Sequence, residues 1–113
     1  MTQDNKIYFM HFRQETHKGG FTVAYRKVPD DGYHLPRIEF TIARCHEGEN
    51  FNRRIGRAVS SGRLLKGKDV ITIRDVGEKE DIRDMICRRK EIQDANFMMK
   101  YGLTIQGPVY IGI

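Results

Sequence analysis

The sequence has little of several features that would narrow its class. It contains no tryptophan, three prolines and two cysteines among its 113 residues. None of its apolar runs approaches the roughly 18 residues that cross a membrane. Its start, MTQDNK, lacks the basic and apolar regions of a signal peptide. We therefore expect a cytoplasmic protein that has no membrane partner.

The residues that usually carry chemistry are also sparse. Cys45 and Cys87 are too few for the disulfide framework of a small secreted protein, and they form no CxxC pair. The histidines lack the spacing of a metal site. His46 follows Cys45, so on a strand the two side chains point to opposite faces, which is poor geometry for a nucleophile and its base. With no phosphate-binding glycine loop and no paired carboxylates, we expect no metal, no cofactor and no catalysis.

Length and charge set two further bounds. A chain of 113 residues predicts one domain, residues 1–113, with one modest core. Twenty Lys and Arg against fifteen Asp and Glu give a net charge of +5 and a pI near 9.4. This balance favours anionic partners through long-range attraction. It excludes an acidic protein that imitates DNA, because such a protein needs the opposite charge.

The first half of the chain predicts an antiparallel meander. Residues 6–14, 21–28 and 37–45 are rich in β-branched and aromatic residues that alternate in period two. Gly19-Gly20 and the Pro29–Gly32 stretch supply turn residues between them. The first strand is apolar on both faces, so it is either a central strand or one that is covered on both sides.

A helix follows the meander, because the apolar period changes to 3.6 after Asn50, which we expect to be the N-cap. We expect Gly67 to end it and Gly62 to allow close approach to the sheet. The predicted apolar side comprises Phe51, Ile55, Ala58, Val59 and Gly62. The predicted polar side comprises Arg53, Arg54, Arg57, Ser60 and Ser61.

The second half predicts a fourth strand at 68–76 and a second helix after it. Asp75 and Glu78 resemble a capping box for that helix. Polar residues interrupt its apolar face, so the helix either breaks near Asp94 or lies at the sheet edge. The tail, 103–113, is β-type but contains a Gly-Pro break, which excludes a central strand beyond it. It is either an edge strand or a segment that pairs with another subunit in a homo-oligomer.

These elements together predict an α+β fold. The predicted order is β-β-β-α-β-α-β, with an antiparallel sheet of four or five strands and both helices on one face.

The first predicted helix contains the densest arginine cluster in the chain. Arginine presents a planar fork of donors that suits phosphate or carboxylate groups. Such a surface indicates binding of DNA or RNA; the alternative is a face that contacts a protein or only water. The candidate binding residues are Arg44, Arg53, Arg54, Arg57, Arg63 and Lys66.

Aromatic residues on the predicted strands also invite comparison with sheets that stack nucleic-acid bases. The sequence patterns of RNA-recognition motifs are absent, so we expect most of these rings in the core. The best candidates for stacking are Tyr8, Phe12 and Tyr25.

The stretch RCHEGENFNRRIGRAVSSGRL, Arg44–Leu64, resembles a pattern found in small accessory proteins of tailed bacteriophages. In that pattern a strand that ends in Ala-x-Cys, here Ala43 to Cys45, precedes a polar link and a helix with Phe, basic residues, Ile-Gly-Arg and Gly-Arg-Leu. The resemblance covers Ala43–Leu64, about a fifth of the chain. It implies an early-type protein in the host bacterial cytoplasm that acts on nucleic acid or, alternatively, inhibits or modulates a host protein.

Overall fold

An antiparallel meander of three strands forms the centre of the fold, as the alternating pattern predicts. The computed structural model describes residues 6–13, 19–29, 32, 36–45, 50–74, 81–100 and 109–110. The strands are β1 (Tyr8–Phe12), β2 (Phe21–Val28) and β3 (Arg37–Cys45). β2 pairs with β1 on one side and with β3 along its whole length on the other.

Two shorter strands share the other edge of β3. β4 (Ile71–Arg74) pairs antiparallel with the beginning of β3, from Arg37 to Phe40. β5 (Val109–Tyr110) pairs in parallel with its end, at Arg44 and Cys45. Of the two alternatives for the tail, the structure therefore supports a strand within the chain's own sheet. Pairing of the tail with a second subunit stays a prediction.

The structure decides between the two alternatives for β1. Among the described strands β1 pairs with β2 only, so it lies at an edge and the central position is wrong. Both of its faces are nevertheless covered. Met10 is buried and Phe12 stacks on Phe21, while His11, on the opposite face, packs edge-on against Phe51.

Helix α1 (Arg53–Lys66) has one end where it was predicted and one that differs. Gly67 ends it, with φ 67° and its N–H donating to the carbonyls of the last turn. The N-cap is Asn52, whose side chain accepts from the N–H of Ile55 at 3.1 Å, so the prediction of Asn50 is wrong. Phe51 packs beside the sheet before the helix begins, which delays the start by two residues.

The packing of α1 confirms its predicted apolar side in part. Phe51, Ile55 and Val59 contact Ala43 and Cys45 of β3. Ala58 is exposed. The side chain that would fill Gly62 has nothing within 4 Å, so the prediction of close approach at that glycine is wrong.

Helix α1 packs against the sheet through buried residues that are spaced four apart and therefore lie on one face of the helix. The buried residues of the helix are Gly56, Ser60 and Leu64. The prediction of Ser60 on the polar side is wrong, because Ser60 is buried and its polar groups form hydrogen bonds within the protein. Its hydroxyl donates to the carbonyl of Gly56 at 2.6 Å, and Thr41 Oγ1 donates to the carbonyl of Ser60 at 2.7 Å.

The second predicted helix is two helices, α2 (Ile82–Cys87) and α3 (Lys90–Lys100). The break lies at Arg88 and Arg89 rather than near Asp94, and Arg89 pairs with Glu91 at 3.1 Å in that turn. Asp81 caps α2 by accepting from the N–H of Arg83. The predicted capping box at Asp75 and Glu78 lies outside the described residues.

The helices cover opposite faces of the sheet, so their predicted placement on one face is wrong, although the α+β class and the antiparallel sheet are confirmed. α2 and α3 contribute Ile86, Ile92 and Ala95 to a core with the bulky face of the sheet. Strand alternation puts small side chains on the other face, which α1 covers. Each apolar face needs its own cover. The small face comprises Thr22, Ala24, Thr41, Ala43 and Cys45. No helix in the described part of the chain is long and apolar enough to span a membrane.

Two glycine substitutions should change stability in opposite directions. At Gly20, with φ 112°, an added Cβ would lie 2.5 Å from the carbonyl oxygen of Phe12 and 2.8 Å from a ring carbon of Phe51. We expect Gly20→Ala to lower the free energy of unfolding by about 2 kcal/mol. Gly62→Ala should raise it by about 0.5–1 kcal/mol, because it adds helix propensity in open space. Urea denaturation measures both, and a loss of stability at Gly62 would contradict the packing of α1.

Candidate functional site

Helix α1 has the highest net charge of the described helices and strands. The 14-residue helix contains four arginines, one lysine and no acidic residue. These five charges equal the net charge of the whole chain, +5, because the other fifteen basic residues balance the fifteen acidic ones. α1 is therefore the most strongly charged element of the fold.

Three exposed arginines near the start of α1 form one surface, which we call the α1 arginine cluster: Arg53, Arg54 and Arg57. They are exposed because Gly56, Ser60 and Leu64 face the sheet. In the described part of the chain, no salt bridge joins any of the three to an acidic side chain. Their charge is thus available to an external anion.

His11 shows where two of these arginines lie relative to the sheet. Its Nδ1 is 2.9 Å from Thr22 Oγ1, and its ring packs against Phe51. Burial lowers the pKa of His11 below its usual 6.5, and the positive charges of Arg53 and Arg57 lower it further. Those two arginines therefore lie on the side of α1 that is nearest β1.

Arg63, a predicted binding residue, is turned towards the sheet. Its Nη1 donates to the carbonyl oxygen of Ile42 at 2.9 Å. That carbonyl lies between the residues of β3 that pair with β4 and those that pair with β5. Burial lowers the pKa of Arg63, while the charge of Asp69 raises it. Arg63 thus completes the hydrogen bonding of β3.

The remaining predicted residues lie apart from the α1 arginine cluster. Arg44 is directly opposite Phe21 in the register of β2 and β3, which puts it on the face that α2 and α3 cover. Burial lowers the pKa of Arg44, and the charge of Arg63 adds to this. Lys66 is exposed, but it lies about 20 Å from Arg53 along the helix axis. Of the six predicted residues, the structure brings three into one surface.

A second group of arginines was not predicted from the sequence, and we call it the sheet arginine cluster: Arg26, Arg37 and Arg74. Glu39 pairs with the first two of them. Arg26 donates to Glu39 Oε1 through Nε at 3.0 Å and Nη2 at 2.9 Å. Arg37 Nε lies 3.3 Å from Glu39 Oε2, and Arg74 is directly opposite Arg37 on β4. Period-two alternation could have placed these side chains on one face, but their proximity depends on strand register.

The aromatic residues on the strands contact one another. Tyr8 stacks on Tyr25 with ring centroids 5.5 Å apart, and Phe12 stacks on Phe21 at 4.4 Å. Tyr25 and Phe21 are buried, which assigns both to the core. Tyr8 is 40% exposed and has the ammonium group of Lys6 over its ring at 5.2 Å.

The described residues contain no group of three or more His, Cys, Asp or Glu side chains that could hold a metal ion. Comparisons with protein-family models, with curated proteins and with solved structures found no match to this chain. Its function is therefore inferred from its charge and geometry.

The structural role of Arg63 can be separated from that of Lys66 on the same helix. Arg63→Met keeps the apolar stem but removes the donor to Ile42, so we expect the free energy of unfolding to fall by about 1 kcal/mol. Lys66→Met, at an exposed position, should leave stability within about 0.5 kcal/mol of the original. Urea denaturation tests both, and equal effects would contradict the assignment.

Stability should depend on pH through His11. Because its pKa is lower in the folded state than in the unfolded state, the unfolded chain binds more protons between the two values. The free energy of unfolding should therefore fall as pH decreases through 6.5 towards the folded pKa, and the loss should then level off. NMR titration of the imidazole, with urea denaturation across that range, measures both effects.

Substitutions on α1 provide the matched controls for this pKa. Arg53→Gln with Arg57→Gln should raise the pKa of His11 towards 6.5, because both charges lower it. Arg54→Gln should change it less, since Arg54 is not among the groups that shift it. An unchanged pKa in the double variant would contradict the placement of Arg53 and Arg57 beside β1.

Proposed function

We propose that this protein is a non-catalytic nucleic-acid-binding protein that contacts the phosphate backbone of DNA or RNA through the α1 arginine cluster. The observation that carries the proposal is the concentration of five positive charges and no acidic residue on α1. Each arginine can form two parallel hydrogen bonds with a phosphate group, which strengthens the contact.

The position of the cluster on the helix supports this use. Arg53, Arg54 and Arg57 occupy the first half of α1, and its first turn has no acidic residue. The positive end of the helix dipole therefore adds to their charge. Contacts to phosphate position a protein on nucleic acid without reading its bases. Binding would be largely independent of sequence and would weaken steeply with salt.

The cellular setting is part of the same proposal. The resemblance of Ala43–Leu64 to small accessory proteins of tailed bacteriophages suggests a phage protein that acts in the host bacterial cytoplasm. A basic protein in that setting meets the nucleic acids of both the phage and the host.

Charge reversal on α1 tests the proposal. Arg53→Glu with Arg57→Glu should weaken binding to DNA or RNA, because two phosphate contacts become repulsive. A gel shift at low salt provides the first measurement. Fluorescence anisotropy over about 50–200 mM salt provides the second, and the dependence of log affinity on log salt should become shallower by about two.

A matched control reverses two positive charges at α2 and α3, which cover the opposite face of the sheet. Arg88→Glu with Lys90→Glu changes two exposed residues near the junction of α2 and α3. This variant should bind with nearly the original affinity and salt dependence. The proposal fails if the unaltered protein binds neither DNA nor RNA at low salt, or if the α1 variant binds as well as the control.

One observation favours the alternative function, inhibition or modulation of a host protein. Leu65 is 67% exposed on the same helix as the arginine cluster. An exposed apolar side chain beside positive charge suits an acidic protein surface with an apolar pocket. Recovery of one specific host protein from nuclease-treated bacterial lysate, without nucleic acid, would favour this alternative.

A further inference from the structure

The sheet arginine cluster carries more positive charge than its own residues neutralise. Arg26 and Arg37 both pair with one carboxylate, Glu39, and both of its oxygens already accept from guanidinium groups. In the described part of the chain Arg74 has no salt bridge. The cluster therefore keeps two positive charges in excess.

The geometry within the cluster leaves donors for an anion. Arg37 and Arg74 are directly opposite on neighbouring strands, where like charges are destabilising. Arg37 Nη1 is buried and has no hydrogen-bond partner among the described residues. A buried donor without a partner costs free energy. A phosphate group bound beside these two arginines would relieve their repulsion.

Glu39 arranges the cluster before any ligand arrives. Its ion pairs hold the guanidinium groups of Arg26 and Arg37 against the sheet, while 27% and 26% of those side chains stay exposed. Arginines that are already oriented lose less conformational entropy when they bind. Arg74, which is exposed, can complete the contact from the neighbouring strand.

The two arginine clusters lie on the same face of the sheet. Arg37 and Glu39 are spaced two residues apart from Thr41 and Ala43 along β3, so they point to the same face of the sheet as these residues, which α1 covers. Arg53 and Arg57 lie near His11, in the row of Thr22 and Ala43. Along β3 from Ala43, the cluster begins four residues away, where Arg26 is opposite Glu39, and reaches Arg37 after six, which corresponds to about 13–20 Å. Along the axis of a DNA duplex, each strand carries about four to six phosphates over that distance.

From these observations we infer that the sheet arginine cluster is a second phosphate-binding site, which contacts the same nucleic acid as the α1 arginine cluster. This inference rests on the proposed function. The proposed binding surface is then longer than α1 and extends across β2 and β3 to β4.

Removal of the cluster's charge tests the inference. The probe is a labelled DNA duplex or RNA strand of about 20 nucleotides, whichever the unaltered protein binds more tightly. Arg37→Gln with Arg74→Gln should weaken binding, and the slope of log affinity against log salt should become shallower by about two. The matched control, Arg88→Gln with Lys90→Gln, removes the same charge from the opposite face and should keep the original slope.

Folding of the variants is checked by circular dichroism and urea denaturation. Arg74→Gln, at an exposed position that leaves both ion pairs of Glu39 intact, should make the slope shallower by about one. If the double variant does not fold, this single variant decides: an unchanged slope overturns the inference.

The outcomes separate the inference from the proposed function. If α1 charge reversal weakens binding while folded cluster variants bind with the original slope, the inference is overturned and the proposed function stands. If the cluster variants weaken binding but α1 charge reversal does not, the second site is supported and the proposed role of α1 fails. If neither set of variants changes binding, both are overturned.

Discussion

The contact between α1 and the small-residue face of β2 and β3 determines much of this structure. Thr41 donates to the carbonyl of Ser60, and Gly56 is buried beside it, so helix and sheet approach closely. Bulky side chains on this face would hold the helix away and would break that hydrogen bond. The contact fixes the rotation of α1 about its axis. That rotation turns Arg53, Arg54 and Arg57 away from the core.

The two clusters of positive charge consequently lie on the same face of the sheet. One face of the sheet packs its bulky side chains against α2 and α3, which form the larger core. The other face carries α1 and, beyond it, the sheet arginine cluster. Both proposed phosphate contacts therefore lie on one side of the molecule, where their fields add. Arg63 has a different part, because it satisfies a strand carbonyl between β4 and β5.

The elements that local pattern predicts were found close to their expected positions. The alternation in 21–28 and 37–45 predicted both strands and the faces of their side chains, since period two is a property of the extended chain. Gly67 ends α1, because the closing turn needs a residue in the left-handed backbone conformation, which glycine adopts most easily. The layers could not be predicted in this way. Which face each helix covers depends on contacts between distant residues, and so does the burial of Ser60 against Thr41.

The sequence by itself determined that a basic helix would follow the third strand, because charge and helical period are both local properties. Only the tertiary structure decided which basic residues are available to a partner. It kept Arg53, Arg54 and Arg57 exposed, turned Arg63 to a backbone carbonyl and put Arg44 on the opposite face. It also gathered Arg26, Arg37 and Arg74 from three strands. Their proximity follows from strand register, a long-range property that no local pattern contains.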